Sequence, residues 1–276
     1  MKALRPVLLL AGLLVDLPAS AAQEFIVISD SLAANADTLT VKEGSQWWGR
    51  ISKWRIGDYT VVSSKLKSTR ITAKSNLFKT KTVRHSTTQF TFVLGNTPTN
   101  FATVNAVRHV MDLSSHEMKL SKSVSLGSEE LVQASDSCNA VITVNGDTTE
   151  TWTLLKSSTS APERGYEAFL TNGERTILLT PVRSKIHGDD GRHRSFFAGL
   201  NPRFIPPAMG YEFIEGGQAI CALQTFGGAA RGNARMVWMH RGLDARVKLI
   251  LAAAITTVLQ VESSATGLEP PKEDEE

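Results

Sequence analysis

The chain has 276 residues, of which 42% are hydrophobic and 21% charged, and its formal net charge is +3. This apolar content is typical of a globular protein and is too high for a disordered one. With 20 glycines and 10 prolines the chain is neither collagen-like nor of low complexity. Its two cysteines exclude a dense disulfide scaffold and any four-cysteine zinc or iron–sulfur site.

Residues 1–22 have the three parts of a secretory signal peptide, namely a positive start, an apolar run and small residues in A-x-A-like spacing. These parts are Lys2 and Arg5, the run 7–15, and Ala19 and Ala21. Cleavage is predicted after Ala21 or after Ala22. The apolar run is far shorter than the roughly 20 residues that span a bilayer. We therefore predict export to the periplasm or the exterior, and no transmembrane segment.

Export would place Cys138 and Cys221 in an oxidising compartment, where a disulfide between them is one prediction. The bond would close a loop of more than 80 residues, which contributes about 4 kcal/mol in the chain-entropy model. The alternative is two buried, unpaired thiols, because free cysteine is among the most buried residue types. Both interpretations stay open at the level of the sequence.

Strand patterns dominate the mature chain. Apolar and β-branched runs predict strands at 25–28, 90–94 and 104–110, and two short strands flank Gly57-Asp58. Three later segments predict β-hairpins, because β-rich runs flank residue pairs that accept positive φ. These pairs are Asn145-Gly146, Asn172-Gly173 and Gly216-Gly217. A two-residue turn in the second hairpin would pair Phe169 with Thr176. The expected result is an antiparallel meander.

One helix is predicted near the C-terminus. Asp244 is a suitable N-cap for residues 245–261, twelve of which are apolar. Arg246, Thr256, Thr257 and Gln260 occupy one arc of about 100°. On the other side only Lys248 is polar, near the helix start, so the helix must be buried on nearly all sides. It is also too short to cross a membrane, so the burial must come from the protein itself.

A sheet-rich domain that ends in a buried helix predicts a mainly β protein. We expect an antiparallel barrel or sandwich in one domain, residues 23–262, with the apolar C-terminal helix against or inside the sheet. This arrangement resembles tubby-like and scramblase-like barrels, which thread a C-terminal apolar helix through a closed sheet. The resemblance implies architecture and no site residue. Residues 263–276 are polar and acidic and predict a disordered tail.

Catalytic motifs are missing from the sequence, which has no G-x-S-x-G elbow, P-loop, H-E-x-x-H or dinucleotide fingerprint. We expect no cofactor. One short segment combines imidazoles and carboxylates, at His187, Asp189, Asp190 and His193. Such a set can bind a divalent metal and would favour a hydrolase or another metal-dependent enzyme. The alternative is a solvated loop, because the surrounding segment is long and contains prolines.

Positive charge is concentrated in residues 42–84, where eleven Lys or Arg face only two acidic residues, a net of +9. Lys65 and Lys67 are two residues apart, as are Lys79 and Lys81, so each pair would share one face of a strand. Three tryptophans, Trp47, Trp48 and Trp54, lie in the same segment. Basic side chains beside aromatic faces suit anionic surfaces and polymers. In the alternative interpretation the lysines are the solvated face of a sheet and the tryptophans belong to its core.

These observations predict an exported, non-enzymatic protein that binds an anionic envelope component or partner through the basic region. The expected partners are an anionic lipid headgroup, an acidic glycan or another envelope protein, and nucleic acid is not expected for an exported protein. Two other functions remain open: an enzyme built on residues 187–193, and a carrier of an apolar ligand. The carrier needs a hollow barrel, which the apolar helix would partly fill.

Overall fold

The computed structural model describes residues 25–44, 46–47, 50–51, 53–76, 80–115, 118–119, 125–126, 130–160, 166–184, 208–229, 232–233 and 235–265. Twelve antiparallel strands form a closed barrel in which each strand pairs with the next barrel strand along the chain. Strands are numbered in chain order. The barrel strands are β1 (Ala36–Lys42), β4 (Arg55–Ile56), β5 (Tyr59–Ser75), β6 (Lys81–Thr97), β7 (Asn100–Ser115), β10 (Glu130–Val144), β11 (Asp147–Thr159), β12 (Glu167–Thr171), β13 (Thr176–Arg183), β14 (Met209–Glu215), β15 (Gln218–Phe226) and β18 (Met236–His240).

The remaining strands form three small antiparallel pairs between barrel strands. They are β2 (Gln46–Trp47) with β3 (Arg50–Ile51), β8 (Met118–Lys119) with β9 (Ser125–Leu126), and β16 (Gly228–Ala229) with β17 (Gly232–Asn233). The described residues also form two helices, α1 (Asp30–Asn35) and α2 (Ala245–Ala265). The barrel closes at β1, which pairs with β18 from Ala36 to Thr40 and with β4 at Val41 and Lys42.

Helix α2 fills the barrel. It contacts β7 and β10 on one side of the ring and β15 on the opposite side. From Leu249 to Val261 no residue is more than 3% exposed. The hydroxyls of Thr256 and Thr257 donate to backbone carbonyls one turn earlier, at 2.8 and 2.9 Å, which satisfies them without a polar partner from the barrel. The predicted mainly β fold with a buried C-terminal helix is confirmed, and the barrel is the form it takes.

The predicted start of α2 is also confirmed. The Asp244 carboxylate accepts a hydrogen bond from the Val247 amide at 2.9 Å, which caps the helix. The helix continues through Ala265, one turn beyond the predicted end. Neither described helix combines the length and the hydropathy needed to cross a membrane.

Two of the three predicted hairpin turns have the expected backbone. Asn145 and Gly146 both have positive φ, at 52° and 72°, and so do Gly216 and Gly217, at 55° and 82°. A turn with positive φ at both central residues matches the right-handed twist of the strands it joins. The predicted pairs therefore form the β10–β11 and β14–β15 turns.

The predicted register of the β12–β13 hairpin is wrong by two residues. Phe169 pairs with Leu178, and Thr171 with Thr176. The loop is longer than predicted because the Asn172 side chain accepts hydrogen bonds from the Glu174 and Arg175 amides, at 3.1 and 2.8 Å. A shift of two residues keeps every side chain on its predicted face.

The predicted strand at residues 25–28 is absent. This segment and α1 pack on the outside of β13, β15 and β18, where Ile26 and Leu32 form a small second core. The Ile26 amide donates to the Gln224 side chain and the Val27 amide to the Arg183 carbonyl of β13, both at 3.0 Å, so single hydrogen bonds rather than a strand ladder hold the segment. Tertiary packing has therefore overridden the local apolar pattern.

Cys138 and Cys221 are free and buried, so the disulfide does not form and the alternative of two unpaired thiols holds. They lie on β10 and β15, five positions apart in the ring, with α2 between these strands. Burial raises the pKa of Cys138 to about 12 and also raises the pKa of Cys221. Both thiols act as small apolar core groups.

Candidate functional site

Four strands continue past the end of the barrel core. β5 and β6 have 17 residues each, β7 has 16 and β10 has 15. The apolar side chains that point into the barrel end near Phe90, Ala106 and Cys138, and the residues beyond them are mostly half-buried or exposed. We call residues 65–75, 81–89, 107–115 and 133–139 the extended sheet.

The strand register shows which side chains share a face. Phe90 points into the barrel and pairs with Leu66, so the pair Lys65 and Thr91 points outward. Between Leu66 and Thr69, β5 contains one more residue than β6, which is a β-bulge. After the bulge, the even-numbered side chains of β5 point outward, whereas before it the odd-numbered ones do.

Because of this reversal, Arg70 and Lys74 lie on the same face as Lys65 and Lys67. Arg70 pairs with Thr87 and Lys74 with Val83, both of which alternate outward along β6. The outer face of the extended sheet carries five Lys or Arg and two His. They are Lys65, Lys67, Arg70, Lys74, Lys81, His85 and His109. No carboxylate is present among the side chains described on this surface, which we call the cationic face.

The opposite, inner face of the extended sheet balances its charges. Arg108 binds Asp136 through two hydrogen bonds, at 2.9 and 2.8 Å, and this bidentate geometry is the strongest form of such a pair. Arg84 stands directly opposite Asp112 across β6 and β7. The excess of positive charge is therefore confined to the outer face.

A shallow groove of about 400 Å³ crosses the cationic face over β5, β6, β7 and β10. Lys67, Gln89, His109 and Asn139 line it. His109 Nδ1 lies 3.0 Å from the Thr87 hydroxyl, which fixes the position of the imidazole ring. Cations beside amide and hydroxyl groups can bind a phosphate, sulfate or carboxylate together with its neighbouring hydroxyl groups.

The predicted site residues are only partly within the described chain. Lys65, Lys67 and Lys81 are exposed on one face, and their role in binding stays a prediction. Lys79 and Trp48 lie outside the described residues, as does the side chain of Trp47 on β2. A third tryptophan of the basic segment, Trp54, is 1% exposed, with the Arg235 guanidinium 5.9 Å above its ring. Trp54 therefore belongs to the core.

The metal-binding candidates His187, Asp189, Asp190 and His193 lie outside the described residues. Within the part of the chain that the structure describes, no group of three or more His, Cys, Asp or Glu is placed to hold a metal ion. The hypothesis of a metal-dependent enzyme therefore stays a prediction.

Sequence reasoning missed four members of the cationic face: Arg70, Lys74, His85 and His109. Arg70 and Lys74 have even residue numbers, whereas Lys65 and Lys67 have odd ones, so strict alternation along a strand assigns the two pairs to opposite faces. Only the bulge brings them together. His85 and His109 are 24 residues apart in sequence and meet this face through the β6–β7 register.

Comparison of the chain with protein-family models, with curated proteins and with solved structures finds no match.

Proposed function

We propose that this protein is exported with residues 1–22 as its signal peptide and binds an anionic component of the cell envelope through the cationic face. The observation that carries the proposal is the segregation of charge in the extended sheet. Five cations share its outer face with no described carboxylate, while the inner face pairs Arg108 with Asp136. A sheet that is merely solvated has no need of such a separation.

The position of the cations supports a ligand with many charges. Lys65 and Lys74 on β5 pair with Thr91 and Val83, eight residues apart on β6, which spans about 26 Å at roughly 3.3 Å per residue. Lys67 and Arg70 lie between them. A single small anion contacts only one or two of these groups, whereas an anionic bilayer or an acidic glycan contacts all of them.

The free edge of β5 suggests a competing explanation. β4 pairs with β5 only at Tyr59 and Thr60, so no described strand covers the edge of β5 from Leu66 onward. Lysines along an exposed edge discourage edge-to-edge aggregation. If this is their only role, their loss should cause self-association and leave anion binding unchanged.

The experiment compares two triple variants of the mature protein that carry the same change in net charge. Lys65→Glu, Lys67→Glu and Lys81→Glu alter the cationic face. Lys42→Glu, Lys53→Glu and Arg55→Glu alter exposed cations of the same basic segment away from that face. Binding is measured on vesicles with and without anionic lipid and on a heparin resin, which separates a lipid from a glycan.

Each basic residue near an anionic bilayer contributes about 1 kcal/mol, so the face variant should bind on the order of 100-fold more weakly. The control variant should retain most of the binding. Binding by the unaltered protein should weaken with salt, because the Debye length falls from about 10 Å at 0.1 M to about 3 Å at 1 M. Equal retention of the two variants would overturn the role of the face.

Export is tested separately by N-terminal sequencing of protein recovered outside the cytoplasm. The expected first residue is Ala22 or Gln23. Material that still begins at Met1 would contradict cleavage and would remove the reason for expecting an envelope ligand.

A further inference from the structure

A cavity of about 360 Å³ opens at the end of the barrel where α2 ends. Its walls come from β13, β14 and β15, and Glu262 and Ser263 of α2 close one side. These strands are on the other side of the ring from β5 and β6, so the cavity is separate from the cationic face. The mouths of β-barrels are among the preferred places for small-molecule sites.

The rim of the cavity is a cross-strand row of three side chains. Arg183 pairs with Met209, and Met209 pairs with Phe226. Met209 and Phe226 are 41% and 45% exposed, so two large apolar side chains stand in solvent beside a cavity. A ligand that covers them gains free energy in proportion to the apolar area it removes from water.

A local break in strand pairing positions this row. The register of β14 and β15 shifts between Met209 and Gly210. A Cβ atom on Gly210 would lie 1.9 Å from the Leu223 carbonyl oxygen, so only glycine allows the two backbones to come this close.

The floor of the cavity is aromatic, and the carboxylate beside it is paired. The rings of Tyr166 and Tyr211 stack with centroids 5.6 Å apart. The Tyr211 hydroxyl donates to Glu262 Oε1 at 2.7 Å, and Lys156 Nζ lies 3.3 Å from the same oxygen. Burial, together with the charge of Glu262, raises the pKa of both tyrosines, so they present neutral ring faces to the cavity.

Of three cations at or near the cavity, one forms no ion pair among the described residues. Lys156 pairs with Glu262, and Arg235 pairs with Glu43. Arg183 is exposed at the rim and has no ion-pair partner among the described residues. The cavity therefore combines a mainly apolar lining with a cation at its mouth that has no ion-pair partner among the described residues.

We propose that the mouth of the barrel binds a single-chain amphiphile with an anionic head group. The alkyl chain lies against Met209, Phe226 and the Tyr211 ring, and the head group pairs with Arg183. A water molecule occupies about 30 Å³ in the liquid, so the cavity holds about a dozen groups of that size, which corresponds to a chain of about eight to twelve carbons. This site does not depend on the proposed function, because it uses none of the residues of the cationic face.

Calorimetric titration of the mature protein with sodium decanoate, kept below its micellar concentration, tests the proposal. Saturable binding of one decanoate per chain is expected. Affinity should rise about fourfold per added methylene from hexanoate upward and level off between eight and twelve carbons. Decyltrimethylammonium, which has the same chain and a cationic head group, should bind at least tenfold more weakly.

Two pairs of variants locate the site. Arg183→Glu should lower decanoate affinity at least tenfold and improve binding of decyltrimethylammonium, a reversal that damage to the fold would not produce. Arg55→Glu makes the same charge change at an exposed residue that does not line the cavity and should have no effect. Phe226→Ser should weaken binding of both ligands, whereas Leu178→Ser, at a residue 52% exposed on the outer barrel face, should not.

Three outcomes would overturn the site: no saturable binding of decanoate, affinity that does not level off with chain length, or the same head-group preference in Arg183→Glu as in the unaltered protein. None of them bears on binding to anionic vesicles by the cationic face, so failure of one proposal can be told from failure of the other.

Discussion

Because α2 is buried on all sides from Leu249 to Val261, single substitutions in this part of the helix should strongly destabilise the protein. Leu251 and Ala253 have no exposed surface. Leu251→Ala removes apolar contacts and leaves a cavity, which costs about 2–5 kcal/mol. Ala253→Asp places a carboxylate without a partner in an apolar core, which costs more, because an unpaired charge loses its hydration and an already packed site must also expand.

These magnitudes can be measured as thermal melts. In a domain of this size 1 kcal/mol corresponds to about 2–4 °C, so Leu251→Ala should lower the melting temperature by about 4–20 °C. Domains of this kind are stable by only about 5–15 kcal/mol, so Ala253→Asp should unfold much of the protein at ambient temperature.

Matched controls make the result specific to the enclosed part of the helix. Ala245→Asp is the same substitution at the exposed first residue of α2, where a negative charge interacts favourably with the helix dipole. Leu178→Ala is the same truncation at an exposed leucine. Both should melt within about 2 °C of the unaltered protein, as expected for ordinary surface changes. If Ala253→Asp melted like Ala245→Asp, this face of α2 would be exposed and the closed architecture would be wrong.

Three further predictions concern the core and the barrel mouth. Thiol titration without reductant should find Cys138 and Cys221 unreactive in the folded protein and two thiols per chain after unfolding; none after unfolding would mean a disulfide. Burial keeps these thiols and Tyr211 neutral in the folded chain, whereas in the unfolded chain the thiols ionise from about pH 9. The free energy of unfolding should therefore fall from about pH 9 toward pH 12, by about 1.4 kcal/mol per pH unit for each group. Melts that do not change across this range would contradict the burial of these groups. Gly210→Ala should destabilise the protein by about 1–3 kcal/mol, because its new methyl group meets the Leu223 carbonyl, and a variant that melts normally would show that the strands can separate there.

The sequence predicted the structure correctly where a structural feature requires particular residue types. Positive φ at Asn145-Gly146 and Gly216-Gly217 requires residues of that kind, and a helix with almost no polar arc requires enclosure. It was less informative about alternatives that differ only by long-range geometry. Whether the sheet forms a barrel or a sandwich depends on whether β1 pairs with β18, and these strands are about 200 residues apart in sequence.

The candidate site was harder to predict than the fold because it depends on local irregularities. A single extra residue in β5 determines whether Arg70 and Lys74 join Lys65 and Lys67, and no residue near Leu66 marks that bulge in the sequence. The cavity at the barrel mouth likewise combines residues from β13, β14, β15 and α2. None of its members stands out until the register is known.

The end of α2 explains why both proposed sites lie where they do. Lys156 forms an ion pair with Glu262 near the end of the helix. In the strand register, Lys156 on β11 stands opposite Cys138 on β10, and Cys138 stands opposite Arg108 on β7. Beyond this level no described helix covers the inner face of the strands, so apolar alternation stops and both faces turn polar. From Leu249 to Val261 the helix is at most 3% exposed, so both proposed sites lie outside the part of the barrel that it fills. Substitutions on the cationic face therefore touch no core contact. Lys65→Glu, Lys67→Glu and Lys81→Glu together should leave the melting temperature within about 2 °C of the unaltered protein, which lets a loss of binding be attributed to the face itself. A large drop in melting temperature would show instead that these lysines stabilise the sheet.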